Sequence, residues 1–212
     1  MQNSRIYLGA KNEPELAGYQ RLQSGNNCTL HAIAAAIKLL CNEDIDGESL
    51  SVEIDRLWWH GKIMRIFPKW AVTPRQQVRI VKHLAAKLAL PIQASFVHAT
   101  PAALLTSLAD PAAVNLISLL WLPRRAPAIY HGEQAKNYNA GKSAGAHTLL
   151  LAAYDATHKN ADHTLTPWGF INSWSNAGEH LYWMKDDEFT RAWHFFLPSV
   201  GPNPLVIIRR TA

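Results

Sequence analysis

A thiol, an imidazole and an amide occur in the order Cys28, His147, Asn172, each in a context suited to one chemical role. Cys28 follows the polar run Gln-Ser-Gly-Asn-Asn at 23–27 and opens an Ala-rich stretch. A free thiol titrates near ~8.5 and is mostly protonated at neutral pH. The unpaired N–H groups and dipole at a helix start stabilise the thiolate, and a neighbouring imidazolium does more. His147 begins the apolar run His-Thr-Leu-Leu-Leu-Ala-Ala-Tyr-Asp, which reads as a strand presenting the ring at a sheet edge beside the helix start. Asn172 lies in Trp-Gly-Phe-Ile-Asn-Ser-Trp. On an adjacent strand, ~4.8 Å away, its amide oxygen can hold the imidazole in one tautomer, with Trp174 shielding that bond from water. Gln23, five residues before Cys28, can donate to an oxyanion beside the Cys28 backbone N–H. These are the parts of a nucleophilic cysteine hydrolase. In that chemistry Cys28 would attack an amide carbonyl, His147 would take the thiol proton and give one to the leaving amine, and Asn172 would orient His147.

The elements that must position these groups follow from periodicity and punctuation. Residues 28–41 read as a helix without Gly or Pro, with Asn26 and Asn27 as capping residues. A second helix is expected over 48–60, with Leu50, Ile54, Leu57 and Trp58 on one face. A third, over 74–89, starts at Thr73-Pro74 and stops at Pro91. Strands are expected over 92–97, 113–122, 147–154, 168–173, 179–184 and 205–209, with short helical pieces at 100–109 and 186–193. Residues 1–22 and 123–145 read as irregular, the latter as a long loop placed to control access to His147. Helices come first and strands follow, which predicts an α+β fold in one domain, residues 1–212, with the helical part on a mainly antiparallel sheet.

Apolar residues make up 48% and charged residues 17%, the balance of a folded globular chain. No apolar run reaches the ~18 residues of a membrane span. The N-terminal residues lack a signal-peptide core, which predicts synthesis in the cytosol, with export by a signal-peptide-independent system left open. Cys28 and Cys41, at opposite ends of one helix, would stand roughly 20 Å apart, too far for a disulfide. Cys41 is expected to pack as a small apolar residue. The histidines His31, His60, His83, His98, His131, His158, His163, His180 and His194 lack metal-ligand spacing. The net charge of +5 favours an acidic partner or substrate. A basic concentration over 62–87 reads as a solvated helix face without the aromatic interleaving of a single-strand nucleic-acid surface. Trp58, Trp59, Trp70 and Trp121 are expected mostly in the core, one or two lining a substrate groove.

The ordered set resembles papain-like cysteine peptidases. Gln23 and Cys28 before a helix resemble the family's oxyanion glutamine and nucleophile. His147 to Tyr154 resembles its His-led strand, Asn172-Ser173-Trp174 its Asn-Ser-Trp motif, and Leu181-Tyr182-Trp183-Met184 the strand that follows. The resemblance implies a cleft between the helical part and the sheet, a protein or peptide substrate, and no metal or organic cofactor. The chain departs from the pattern at Thr29, where papain has Trp, and at Asn27 before the cysteine. The secreted members' disulfides are absent. The Gln–Cys spacing and size are similar to bacterial members such as bacteriocin-leader-processing peptidases and papain-like effector toxins. Many of these use Asp as the third residue, which makes Asp155 and Asp162 alternatives to Asn172. His31, in Cys-x-x-His, gives a weaker resemblance to Josephin domains and is read as packing. Glutamine deamidation, acyl transfer and a catalytically silent binding scaffold are the alternative uses of such a fold.

Overall fold

The structure, a computed structural model, describes residues 5–139, 141, 143–176, 178–194 and 200–211. Eight strands among them, all paired antiparallel, form one sheet: β1 (Arg5–Tyr7), β2 (Ile92–His98), β3 (Ala113–Trp121), β4 (Tyr130–His131), β5 (Gly145–Asp155), β6 (Trp168–Ile171), β7 (Tyr182–Met184) and β8 (Pro204–Arg210). The order is β2-β8-β3-β5-β6-β7-β4, with β1 pairing the distal end of β5. Helices α1 (Glu13–Ala17), α2 (Cys28–Cys41), α3 (Gly47–Trp59), α4 (Pro74–Leu88), α5 (Pro101–Leu108) and α6 (Asp186–Trp193) complete the fold. This is the expected α+β arrangement, with the helix that begins at Cys28 packed on an antiparallel sheet.

Helix α2 lies against β5, the inner strand whose Leu149–Ala153 run is buried on both faces. The small side chains of Ala32, Ala35 and Ala36 let helix and sheet approach closely, and with Leu30, Ile33 and Ile37 they are buried in the same core as β3, β5 and β8. The first turn of α2 is tied to the start of β5 by a hydroxyl pair, Thr29 Oγ1 to Thr148 Oγ1 at 2.7 Å. Gln77 of α4 donates to that Thr148 hydroxyl at 3.3 Å and to Ser118 of β3 at 3.0 Å. Buried hydroxyls cost stability unless paired, so this chain fixes how α2, α4, β3 and β5 meet.

Several expectations need correction. The irregular reading of residues 1–22 misses β1 and α1. The signal was present, since Asn12 and Glu15 form a reciprocal capping box around Pro14. The 123–145 loop contains β4, whose two residues pair with β7. Strand β6 ends at Ile171, so Asn172 and Ser173 follow the strand. Strand β5 is not an edge: His147 pairs across to Leu119 of β3. Pairing with β6 begins only at Leu150 opposite Ile171, so the first residues of β5 have no β6 partner on that side. Trp59 and Trp70 are exposed and Trp58 and Trp121 half-buried, so the tryptophans of the helical part are not core.

Candidate active site

Cys28 is the first residue of α2, and the carbonyl of Asn27 accepts from the N–H groups of Leu30 and His31. The Cys28 N–H, in the first turn, has no intrahelical acceptor and remains available to a ligand. Burial pushes the Cys28 thiol up. The His147 ring, by charge and by hydrogen bond, and the backbone N–H groups of Thr148 and Thr29 outweigh it and bring the thiol down to about 7. That donor set is what a thiolate needs, and two of its members exist only because α2 and β5 meet at the Thr29–Thr148 pair.

His147 is buried and donates from Nε2 to Asn172 Oδ1 at 2.7 Å. This leaves Nδ1 as the nitrogen for the thiol proton. Trp174 stacks on the imidazole with ring centroids 4.5 Å apart and planes 23° from parallel, covering the face that water would otherwise reach. Asn172 is itself held through its backbone N–H, which donates to Gln20 Oε1 at 3.4 Å. Gln20, fully buried, donates its amide to His180 O at 3.0 Å.

Gln23 joins the same neighbourhood through Ser173. Its backbone N–H donates to Ser173 O at 2.9 Å, and its side-chain oxygen accepts from the Ser173 hydroxyl. The Gln23 amide nitrogen donates to Gly25 O at 2.6 Å. One of its two hydrogens is thereby used within the loop. Asp155 lies elsewhere: at the far end of β5, roughly 26 Å from His147 at ~3.3 Å per residue. It is held by Arg5 at 2.7 Å and by Thr157. Asp162 is exposed in the loop beyond it. The residue beside His147 is therefore Asn172, and neither aspartate is.

The loop before Cys28 is held by residues to which sequence reasoning assigned no part. Glu48, in the first turn of α3, accepts from Ser24 N at 2.6 Å, Ser24 Oγ at 2.7 Å, Asn27 Nδ2 at 2.8 Å and His31 Nε2 at 2.9 Å. Burial pushes the Glu48 carboxyl up, but these donors more than offset that and hold it below the usual range. His31 is buried against Gly47, where any Cβ would stand 2.7 Å from the ring, so only glycine fits. Asn27 is the N-cap residue, yet its side chain does not cap the helix. Its amide oxygen accepts instead from Ser51 at 2.8 Å and Arg65 at 3.4 Å. Arg65 is fully buried and donates to Asp55 at 2.9 Å, Ser51 at 3.1 Å, Asn26 O at 3.2 Å and Trp70 O at 2.6 Å. An arginine before a Pro-Lys-Trp turn carries no pattern that announces such a role.

The cavity at Cys28 measures only about 10 Å³ and is lined by Tyr19, Ala32, Thr148 and Asn172 among others. Among the described residues no group of His, Cys, Asp or Glu is placed to hold a metal ion, and no helix is long and apolar enough to cross a membrane.

No protein-family model and no curated protein matches the sequence. Solved structures do match the fold. A protein from Bacillus anthracis described as a C39-like peptidase superposes with a TM-score of 0.57 at 12% identity, over 98% of this chain and 99% of that one. Xylellain, a cysteine protease from Xylella fastidiosa, superposes with a TM-score of 0.53 at 11% identity, over 99% of this chain and 86% of that one. The chain thus has the papain-like peptidase fold, at an identity that speaks to the fold alone.

Proposed function

We propose that this protein is a papain-like cysteine hydrolase that cleaves amide bonds in a polypeptide through Cys28, His147 and Asn172. The observation that carries the reading is the continuous path from the Cys28 thiol to His147 and from His147 Nε2 to Asn172 Oδ1. Cys28 gives its proton to His147 Nδ1, and the thiolate attacks the carbonyl carbon. The resulting oxyanion is stabilised by the Cys28 N–H, which no helical carbonyl occupies, and by the Gln23 amide. His147 then passes its proton to the departing nitrogen, the C–N bond breaks and a thioester remains. A water molecule, deprotonated by His147, attacks the thioester, releasing the acid and restoring the thiol. Asn172 keeps His147 Nε2 as the donor throughout, so Nδ1 is always the working nitrogen.

The test is to incubate the protein with a mixed peptide library and read new termini by mass spectrometry. Cleavage by the wild type and none by Cys28→Ala or His147→Ala is the expected result. Equal product from Cys28→Ala would overturn the reading. Conversion of glutamine to glutamate without chain breaks would move it to side-chain deamidation.

A further inference from the structure

The segment after α3 carries an unusual surface. Trp59 is 72% exposed, Phe67 57%, Ile63 54% and Trp70 50%. The rings among them are not scattered. Trp58 joins Trp59 and Phe67 at centroid distances of 4.9 and 6.4 Å, and Phe67 joins Trp70 at 5.8 Å. Single exposed apolar residues need no explanation, but a contiguous aromatic patch marks a contact site.

Its charge environment is one-sided. From Arg56 to Ala109 the chain has eight Lys and Arg and neither Asp nor Glu. The carboxylates of α3 nearest this segment are already engaged, Asp55 by Arg65 and Glu53 by His83 and Lys87. Arg56, Lys62, Lys69, Arg75 and Arg79 are exposed and form no ion pair among the described residues. Arg79 reaches the carbonyl of Ile63 at 3.5 Å, so the basic face of α4 borders the patch.

The patch also adjoins the nucleophile. One nitrogen of Arg65 donates to Trp70 O at 2.6 Å and to Asn26 O at 3.2 Å. The patch backbone and the backbone two residues before Cys28 are thus held against the same atom. At ~3.3–3.6 Å per residue, an extended chain covers the distance from Trp70 to Cys28 in a few residues.

We propose that Trp59, Ile63, Phe67 and Trp70, bordered by Arg56, Lys62, Lys69 and Arg79, recognise an acidic polypeptide segment with interspersed apolar side chains, the stretch of substrate beside the bond that Cys28 attacks. The inference rests on the hydrolase reading for the last clause only. Aromatic side chains anchor the apolar residues, the category that dominates contact energies, and the unpaired cations select carboxylates and speed encounter. A bilayer pressed on the patch would also cover the neighbouring Cys28 side, whereas an extended polypeptide can cross the patch and reach the thiol.

The test pans a displayed random-peptide library on full-length Cys28→Ser protein. Enriched peptides rich in Asp and Glu with aromatic or leucine residues are expected. By fluorescence anisotropy, Phe67→Ser/Trp70→Ser should weaken them at least ~tenfold, the effect of losing aromatic anchors. Lys62→Glu/Lys69→Glu should remove the acidic preference. A chloroacetyl group at one end of an enriched peptide should alkylate wild-type Cys28 faster than equimolar chloroacetamide. Enrichment without acidic bias, or binding indifferent to both double variants, overturns the proposal. So does binding only to phosphatidylglycerol vesicles. Iodoacetamide labelling of Cys28 at pH 7 separates the two readings. A reactive thiol without acidic peptides sinks the surface and spares the hydrolase; bound acidic peptides beside an inert thiol do the reverse.

Discussion

His147 is fixed in the β3–β5 ladder, and Asn172 directly follows β6, which pairs β5 from Leu150 onward, so backbone pairing brings the two together. Cys28 is preceded by a loop, residues 23–27, that has no ladder and is held by side chains of other elements, chiefly Glu48 and Arg65. The imidazole side is apolar and covered by Trp174, whereas the loop side is polar and largely exposed. A ladder places a base cheaply, because each backbone bond it uses would form anyway. The loop before Cys28 spends the N–H groups of Gln23 and Ser24 on Ser173 O and Glu48, and side chains from other elements do the rest of the holding. The two regions should therefore fail differently.

The largest effect is on turnover. Cys28→Ala or His147→Ala should lower peptide cleavage by ~10⁴-fold or more while leaving the circular dichroism spectrum and urea midpoint near wild type. The next is on stability and belongs to the loop side. Arg65→Met leaves Asp55, Ser51 and two carbonyls without their buried donor and should cost about 3–5 kcal/mol in urea denaturation. A loss no greater than that of an exposed arginine would erase the contrast between the two regions.

Gln23→Ala should reduce kcat by ~10²–10³ and leave iodoacetamide labelling of Cys28 unchanged, since alkylation builds no oxyanion. Unchanged kcat would mean that the Gln23 amide only ties the loop to Ser173. Thiol labelling against pH gives a smaller shift. Cys28 should label with a midpoint near pH 7, and Cys41, pushed up by burial, well above it. Coincident midpoints would remove the case for an ionised nucleophile.

The smallest effect concerns Glu48. Its folded value lies below the ordinary carboxylate range of ~4.3, so it stabilises the protein above that range, and the contribution is lost as pH falls through the folded value. Asp46, Glu53 and Asp155 are lowered too, so the readout is a difference. Urea midpoints of Glu48→Gln and wild type should diverge above the carboxylate range and converge in acid. Parallel curves would assign the loop to Arg65 alone.

The same contrast decides what could be read from residue order. His147 and Asn172 were legible because a strand pattern and a local motif announce them, and α2 because Ala and Leu dominate it without a break. The bounds of α2 at 28–41 fall where composition puts them, and α4, expected at 74–89, runs 74–88 behind its Thr73-Pro74 start. Glu48 and Arg65 were not legible, since the groups around Cys28 that they hold lie 17 to 39 residues away and only tertiary packing brings them in. The side chain of Asn27 was read as a cap because its local propensity is real, but Ser51 and Arg65 compete for the same oxygen and win. Composition points Trp58, Trp59, Trp70 and Trp121 mostly to the core with one or two at a substrate groove, and it cannot say that Trp59 and Trp70 are the exposed ones.

The hydroxyl pair between Thr29 and Thr148 has a kinetic consequence. It joins the residue after Cys28 to the residue after His147, and both threonines are buried. In native-state hydrogen exchange the amides of Thr29 and Thr148 should report one shared opening free energy, equal to that of global unfolding, while amides of residues 24–26 exchange by a local route. Nucleophile and base then part company only when the protein unfolds, so mild stress that loosens the loop leaves the pair assembled and ready when the loop closes again.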